Sequence, residues 1–438
     1  MKPSTHVSFT LLLLFSFQCF AQNNNISELI TENADKIEQK VIEWRHDIHQ
    51  HPELGNREFR TAELIAKHLQ SLGIDTKTNV AYTGVVGVLK GDQPGPVIAL
   101  RADMDALPVE EKNDLPFASK VKIGYNGTET SVMHACGHDS HVAILMGVAE
   151  VLSSMKKELK GTVKFIFQPA EEGAPKDEGG GAELMVKEGV LENPKVDVIF
   201  GLHVNSQTEV GKIAYRPGGT LAGVGDFKIT VEGKPSHGSQ PWNSVDPILV
   251  AAQIVTSLQQ IVSRNVKLTE NPAVVTVGAI NGGNRSNIIP EQVVMFGDVR
   301  AFSVEDEALI YGRIKQIAEK TAEAAGATAF VEIPYKDHYP VTFNDLELTK
   351  NMLPSLQKSV GEENVMLVPA ITGAEDFSFY AQKVPGLFFF LGGMPKDQDP
   401  KTAGPHHTPS FMIDDSAFKS GVIAFCNLVF DYAEMNTK

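Results

Sequence analysis

The spacing of apolar residues predicts alternating helices and strands over the first half of the chain. Ile30, Ile37, Val41, Trp44 and Ile48 recur at helical intervals, as on one face of a helix. The same pattern predicts helices at 59–72 and 141–152, and strands at 84–89, 97–101, 162–168 and 196–203, with a break at 91–96. Strands that alternate with helices indicate an α/β layer architecture, so we predict a larger α/β domain with a mixed central sheet flanked by helices.

From about residue 212 the pattern changes to apolar and polar residues in alternation, which is typical of a strand with one exposed face. The predicted elements are a strand at 227–232, a helix at 247–261, strands at 274–280 and 292–300, a helix at 305–325 and a strand at 328–333. This strand–helix–strand–strand–helix–strand order is that of a small ferredoxin-like α+β domain. We therefore predict an inserted domain at 213–333.

The larger domain is predicted to occupy residues 26–212 and to resume at 334–438. Its second part contains a helix at 346–360, which we expect to break or kink near Pro354, then a strand at 386–392 and a helix from Asp415. The length of 438 residues fits this division, since a single core stops growing at roughly 250–300 residues.

The first 21 residues predict a secretory signal peptide. Lys2 precedes an apolar run that ends at Ala21 and is too short to span a bilayer comfortably. A lipoprotein is the alternative, but Cys19 lacks the small residue that usually precedes a lipidated cysteine. We expect an exported protein, periplasmic or secreted, with no membrane span after signal removal.

The net charge of −15 and the small number of cysteines narrow the function classes further. An acidic protein repels nucleic acid and anionic lipid, so neither is an expected partner. The three cysteines are Cys19, Cys136 and Cys426, and only two remain after signal removal, so the chain is not a disulfide scaffold.

Residues 133–141, MHACGHDSH, are the densest group of metal-binding residue types in the chain. Cys136 and His138 are two positions apart, which places both side chains on one face of an extended chain and within reach of one metal pair. The alternative is that His138 or His141 caps the helix that follows. We predict Cys136 and His138 as metal ligands and regard His141 as a weaker candidate.

Carboxylates follow two predicted strands, at the edge where α/β proteins place their sites. Asp103 ends the strand before Pro108, and Glu171 and Glu172 follow Gln168. One glutamate of the pair can ligate a metal while the other exchanges a proton with the attacking water, which is the division of labour that amide hydrolysis needs. Taken alone, each segment is also compatible with a solvated acidic turn.

Histidines near two further segments complete a candidate ligand set. His203 ends an apolar strand, and His406 and His407 lie far downstream. Together with Cys136, His138 and Glu172, and with one of the two downstream histidines, His203 makes a mixed nitrogen, oxygen and sulfur set. Such a set suits zinc-like or manganese-like divalent ions, and two ions suit hydrolysis.

Polar residues of the inserted domain are candidates for substrate binding. His237 lies in a predicted turn, and Arg285 and Asn287 lie in a loop between two strands. On a mobile cap they would reach the scissile carbonyl and a substrate carboxylate. Each of them is also compatible with an ordinary exposed loop.

The chain resembles the aminoacylase/carboxypeptidase metallohydrolase superfamily, and within it the branch of hippurate hydrolases and indole-3-acetyl-amino-acid hydrolases. The resemblance extends from about residue 30 to the end. The segments that carry it are RHDIHQHPELG at 45–55, MHACGHD at 133–139, QPAEEG at 168–173, GLH at 201–203 and GAEDFS at 373–378.

The resemblance implies two divalent metals held by Cys136, His138, Glu172, His203 and His407, with manganese or zinc expected and cobalt or nickel as alternatives. His407 is preferred to His406 because the family's ligand precedes a small polar residue and a proline, as His407 does.

The resemblance also assigns catalytic roles. Glu171 would be the general base and acid, and a lid and dimerisation domain would bring His237 to the carbonyl oxygen. Other branches have His-x-Asp where this chain has Arg101-Ala-Asp103, so the catalytic role of Asp103 stays open.

The resulting hypothesis is a homodimeric amidohydrolase that cleaves N-acyl or aryl-acyl amino acids. A metallo-dipeptidase or carboxypeptidase of the same superfamily is the first alternative, and a metal-binding protein without catalysis is the second. A zinc deaminase is disfavoured because the chain has no Pro-Cys-x-x-Cys segment.

Overall fold

The computed structural model describes residues 8–125, 127–336 and 338–437, with side chains described from residue 26 onward. The predicted signal peptide, residues 1–21, lies outside the described side chains, and residues 1–7 lie outside the described backbone as well. In the part of the chain that is described, no helix is both long enough and apolar enough to cross a membrane.

The helices alternate with strands in the order in which the sequence pattern places them. The α-helices are α1 (Ser8–Gln50), α2 (Phe59–Ser71), α3 (His138–Ser154), α4 (Gly181–Lys187), α5 (Pro247–Arg264), α6 (Val304–Ala324), α7 (Leu346–Val360), α8 (Ser378–Ala381) and α9 (Phe418–Asn436). Single 3₁₀ turns lie at Pro241–Asn243, Glu362–Asn364 and Asp415–Ala417.

The strands of the first half are β1 (Asp75–Val80), β2 (Gly84–Lys90), β3 (Gln93–Asp103), β4 (Lys122–Tyr125), β5 (Thr128–Ser131), β6 (Lys160–Gln168), β7 (Val198–Glu209), β8 (Ile213–Tyr215), β9 (Gly218–Leu221) and β10 (Gly223–Glu232). Those of the second half are β11 (Ser236–His237), β12 (Ala273–Gly282), β13 (Ile288–Ile289), β14 (Gln292–Ala301), β15 (Thr328–Glu332), β16 (His338–Tyr339), β17 (Thr342–Asn344), β18 (Val365–Leu367) and β19 (Gly386–Met394).

The chain forms two compact units, of which the larger contains the residues up to Tyr215 together with Glu347–Leu367 and the segment from Gly386. Its eight-stranded sheet has the order β1-β2-β6-β3-β7-β19-β8-β18. The inner pairs β6–β3, β3–β7 and β7–β19 are parallel, whereas β1–β2, β2–β6 and β19–β8 are antiparallel. The mixed central sheet predicted for the larger domain is therefore confirmed.

Helix packing explains why the central elements of this unit have nearly continuous apolar sequences. α3 contacts α1, α9 and β3, and every residue from His138 to Ala149 is buried. Strand β19 is buried along its whole length. Parallel strands that are covered on both faces need apolar side chains on both faces, which is why these segments could be predicted from sequence.

The smaller unit contains Arg216–Leu346 and Val368–Pro385. Its main sheet has the strand order β12-β14-β10-β15, with β16 also paired to β10, and all of these pairs are antiparallel. The buried faces of α5 and α6 pack in one apolar cluster with β10 and β14. Apart from the short strands β11 and β13, which pair with each other, the elements from β10 to β15 follow the strand–helix–strand–strand–helix–strand order.

The unit extends further along the chain than the predicted insert, residues 213–333. Tyr339 pairs with Val224 on β10, and Asn344 pairs with Gly218 on β9. Ile371 forms a β-bridge to Leu221, which attaches the later segment. These long-range strand pairings, which have no signature in the local sequence, place 334–346 and 368–385 in this unit.

Two local features differ from the prediction. The break expected at 91–96 is shorter, because residues 91 and 92 alone separate β2 from β3, and β3 shifts register against β6 between Gln93 and Val97. Helix α7 continues through Pro354, so the break expected there is absent. Leu348 and Met352 before the proline and Leu356 after it are all buried in the core of the larger unit, and this packing stabilises both parts of the helix.

Candidate metal centre

The register of the parallel strands aligns the acidic segments of the larger unit at one edge of its sheet. Asp103 at the end of β3 lies opposite Gln168 at the end of β6. Arg101 lies opposite Gly201, which places His203 on β7 level with Asp103. The carboxyl ends of parallel strands meet at the same edge, so the segments after β3 and β6 converge there with His203.

A glycine with a left-handed backbone brings the histidine-rich segment into this edge. Gly137 has φ of +100°, and a Cβ at this position would lie 2.4 Å from Cγ2 of Val204. The next residue, His138, begins α3 and is fully buried. A side chain at 137 is therefore excluded both by the conformation and by the neighbouring strand, and the tight turn places Cys136 and His138 together.

The five predicted ligands lie in one cluster. Sγ of Cys136 is 3.3 Å from Nε2 of His203 and 3.3 Å from Nε2 of His407. Nε2 of His407 is 3.1 Å from Oε1 of Glu172, and Nε2 of His138 is 4.0 Å from the same oxygen. Four separate segments thus contribute donor atoms at distances that divalent ions can bridge.

In His203 and His138, a hydrogen bond at Nδ1 orients the other ring nitrogen, Nε2, toward the cluster. Nδ1 of His203 is 2.6 Å from the carbonyl oxygen of Val204, and Nδ1 of His138 is 3.2 Å from Oδ1 of Asp105. In each ring the Nδ1–H donates, which leaves Nε2 directed at the cluster. Among the described residues, Nε2 of His138 has no hydrogen-bond partner. Such outer hydrogen bonds are the usual support of metal-binding histidines.

Asp105 is a site residue that sequence reasoning did not assign. Its Oδ1 accepts a hydrogen bond from the backbone N–H of Glu171 at 3.1 Å, and its Oδ2 accepts one from that of Glu172 at 3.0 Å. It also holds Nδ1 of His138, so a single carboxylate fixes two parts of the cluster. The available signal was its position two residues after Asp103, beyond the end of the same strand.

Glu58 supports the glutamate pair from the other side and was also missed. This buried side chain accepts hydrogen bonds from the backbone N–H of Ala170 at 2.9 Å and from the hydroxyl of Thr83. Burial, reinforced by the charge of Asp105, raises the pKa of Glu58 to about 8. Ala170 has φ of +51°, a conformation that is uncommon for alanine and that needs such support.

Asp103 is fully buried and both of its oxygens are engaged. Oδ2 accepts a hydrogen bond from Nη1 of Arg101 at 2.6 Å, and Oδ1 accepts one from Nδ1 of His141. Nε2 of His141 in turn accepts the backbone N–H of Val204 at 2.9 Å. Asp103 therefore positions His141, and the two nitrogens of His141 are already used, which disfavours it as a ligand.

The two downstream histidines differ in what they face. His407 lies between Cys136 and Glu172, with φ of +62° at its own backbone. His406 is 3.7 Å from Cys136 through Nδ1, while its Nε2 accepts the backbone N–H of Ser206 at 3.3 Å. The geometry favours His407, because only its ring faces both the thiol and the carboxylate.

The candidate substrate-binding residues of the smaller unit also lie together. His237 pairs with Ile288 in the short β11–β13 ladder, and the carbonyl oxygen of Asn287 accepts the N–H of Gly238 at 2.8 Å. The carbonyl oxygen of Arg285 accepts the N–H of Ile288 at 3.3 Å. The side chains of His237, Arg285 and Asn287 are exposed on the surface of this unit.

The electrostatics of the cluster favour a bound cation. Burial alone lowers the pKa of His138, but the carboxylates of Asp103, Asp105 and Glu172 outweigh it and raise this pKa to about 10. Burial and the charges of Glu172 and Glu171 raise the pKa of the Cys136 thiol well above its usual range. Nearby divalent cations would compensate the carboxylates and favour the thiolate, so the residues present fit metal binding.

The chain is similar to known proteins over most of its length. The sequence model of Peptidase family M20/M25/M40 matches residues 99–431. The chain is 39% identical over 435 residues to the IAA-amino acid hydrolase ILR1-like 4 of Arabidopsis thaliana, covering 97% of this chain and 94% of that one. It is 37% identical over 411 residues to the thermostable carboxypeptidase 2 of Saccharolobus solfataricus, covering 93% and 99%.

A solved structure resembles the chain over nearly the same length. The Bacillus subtilis YXEP protein, a dinuclear metal binding peptidase of the M20 family, has a TM-score of 0.75 and 34% identity, covering 91% of this chain and 99% of that one. The sequence match, the fold and the cluster of metal-binding side chains lead to one conclusion: the chain belongs to Peptidase family M20/M25/M40.

Proposed function

We propose that the protein is a metal-dependent amidohydrolase that cleaves N-acyl or aryl-acyl amino acids into a carboxylic acid and a free amino acid. The observation that carries the proposal is the pair Glu171 and Glu172. Glu172 belongs to the donor cluster, 3.1 Å from His407, while Oε2 of Glu171 lies 3.8 Å from Nε2 of His138. Adjacent carboxylates can thus divide metal binding from proton transfer.

Cys136, His138, Glu172, His203 and His407 would hold two divalent ions, which supply Lewis acidity toward the substrate carbonyl and acidify a nearby water molecule. Glu171 accepts the proton from this water as its oxygen adds to the acyl carbon. The same carboxyl then gives the proton to the amide nitrogen as the C–N bond breaks. Asp105 keeps Glu171 in place by accepting a hydrogen bond from the backbone N–H of Glu171.

The smaller unit supplies the remaining substrate contacts in this proposal. Nδ1 of His237 accepts the backbone N–H of Ser239 at 3.1 Å, which leaves the proton of a neutral ring on Nε2. We assign that Nε2–H to the carbonyl oxygen of the substrate, and Arg285 with Asn287 to its carboxylate. The unit would thereby act as a lid.

A panel of substrates tests the proposed function. Metal-stripped protein should release no amino acid from N-acetyl, N-benzoyl or indoleacetyl amino acids, and added manganese, zinc, cobalt or nickel should restore release. The metal that restores the highest kcat/KM identifies the preferred ion, with manganese or zinc expected. Faster cleavage of unblocked dipeptides or of C-terminal residues would instead favour a peptidase, the activity named for the Saccharolobus relative. No turnover by folded, metal-loaded protein would contradict the proposal.

Export and dimerisation complete the proposal. The apolar segment before Gln22 supports export with cleavage after Ala21, and N-terminal sequencing of the mature protein should begin at Gln22. The smaller unit leaves Val274 and Ile280 of β12 exposed, which supports a homodimer formed through this unit. Light scattering that gives the mass of one chain would contradict the dimer.

A further inference from the structure

A cavity of about 220 Å³ lies beside the metal centre, within the larger unit. Its walls come from four stretches of chain, which lie within residues 54–57, 106–108, 123–125 and 172–175. Whole small-molecule sites usually measure roughly 300–1,000 Å³, so this cavity has room for one part of a ligand rather than for a whole one.

Glu172 connects the cavity to the chemistry. Its side chain lines the cavity, and its Oε1 lies 3.1 Å from Nε2 of His407 in the donor cluster. A group seated in the cavity therefore lies next to a proposed metal ligand. The adjoining Gly173 also belongs to the lining, which places the cavity directly after the paired glutamates in the chain.

The lining offers no unpaired cationic side chain to the carboxylate of a substrate. The one cation in the described lining is Arg57, and its Nη2 and Nη1 donate to the two oxygens of Glu178 at 2.6 Å and 3.0 Å. The guanidinium is thus already neutralised by a bidentate pair. Among the described lining residues, no other cationic side chain can pair with the carboxylate end of an amino acid.

The remaining lining is mostly apolar, with side chains of Leu54, Ala106, Leu107, Ile123 and Tyr125. Apolar walls gain free energy from burying an uncharged hydrocarbon or aromatic group, at roughly 25 cal/mol per Å² of apolar surface. Of the two halves of an N-acyl amino acid, the acyl half is the one that lacks a charge.

We propose that this cavity binds the acyl group of the substrate, and that Ile123 and Tyr125 of the β4–β5 hairpin set the largest acyl group that fits. The inference rests on the proposed function and specifies its substrate class as acyl chains or aromatic acyl groups larger than acetyl. The amino acid half then extends away from the cavity, on the other side of the scissile bond.

The hairpin is suited to variation because it is attached separately from the main core. β4 and β5 pair only with each other among the described strands, with Lys122 opposite Ser131. Ile123 packs against a small apolar cluster of Leu54, Ala106 and Val132 that is distinct from the main core. Substitutions on this hairpin should therefore change the cavity without unfolding the unit.

Ile123→Trp tests the assignment, because the larger side chain fills the cavity. Lys122→Trp is the matched control, since Lys122 precedes Ile123 on the same strand, is exposed and is absent from the lining. With one amino acid held constant, Ile123→Trp should lower kcat/KM for benzoyl and indoleacetyl substrates about 10-fold or more relative to the acetyl substrate. Lys122→Trp should leave this ratio unchanged.

A second series separates the two halves of the substrate. With acetyl held constant, variation of the amino acid should give the same order of kcat/KM in Ile123→Trp and in the unaltered protein. An unchanged acyl preference, or a changed amino acid preference, would overturn the acyl assignment while leaving amide hydrolysis intact. Absence of hydrolysis in the unaltered protein would instead overturn the proposed function itself. If Ile123→Trp fails to fold, Tyr125→Ala should shift the preference toward larger acyl groups.

Discussion

Replacing Glu171 by glutamine is expected to lower kcat by about 10²–10⁴-fold, the range that a general acid and base contributes. Glutamine has nearly the same size and keeps the backbone N–H that donates to Asp105. It cannot take a proton from water and pass it to the leaving amine. Steady-state kinetics on the most active substrate of the panel measure the effect.

The metal content of the variant distinguishes loss of proton transfer from loss of the metal centre. Glu172, His138 and His407 stay in place in the variant, so metal analysis should still find two ions per chain. Glu110→Gln is the matched control, because Glu110 is an exposed glutamate outside the donor cluster. It should retain full activity. A Glu171→Gln enzyme with near-normal kcat would show that another group transfers the proton.

Replacing Cys136 by alanine is expected to lower both metal content and kcat/KM. The sulfur lies 3.3 Å from the Nε2 atoms of both His203 and His407, so its removal takes away a donor that faces both rings. Loss of an outer hydrogen bond alone typically costs 10–100-fold in metal affinity or activity, so loss of a ligand should cost about 10²-fold or more.

The chain contains a matched control for this variant. Cys426 is also a buried free cysteine, but it lies on α9 in the apolar core of the larger unit. Cys426→Ala should cost only packing free energy, on the order of 1 kcal/mol, and should keep two metals and full activity.

Cobalt loading gives a readout that does not depend on turnover. The unaltered protein and Cys426→Ala should show a thiolate-to-cobalt charge-transfer band, and Cys136→Ala should lack it. Retention of two ions and full activity in Cys136→Ala would contradict the assignment of the thiol as a ligand.

Sequence patterns were sufficient for the elements at the centre of each unit. β19 is wholly buried and is continuous in apolar residues and glycine, and α5 and α6 have apolar faces at helical spacing. The edge strand β1 could not be predicted in this way. Its sequence, DTKTNV, is mostly exposed, and it is a strand because it pairs with β2.

The residue types of the candidate site could also be predicted from the sequence, because a cysteine, several histidines and paired glutamates in short segments have few other roles in proteins. The roles of Asp105 and Glu58 could not be predicted in this way. Each is a single acidic residue whose importance depends on the hydrogen bonds that it accepts from backbone N–H groups of the segment 170–172. Those contacts join positions 66 to 112 residues apart, and no local pattern records them.

The sequence by itself therefore determined the alternation of helices and strands and the chemical types of the metal donors, since both depend on neighbouring residues. Tertiary structure decided which donors face one another and that Asp103 and His141 turn away into hydrogen bonds of their own. It also decided that the segments 334–346 and 368–385 join the smaller unit. These outcomes depend on strand register and long-range pairing, which are set by the packing of the whole unit rather than by any single segment.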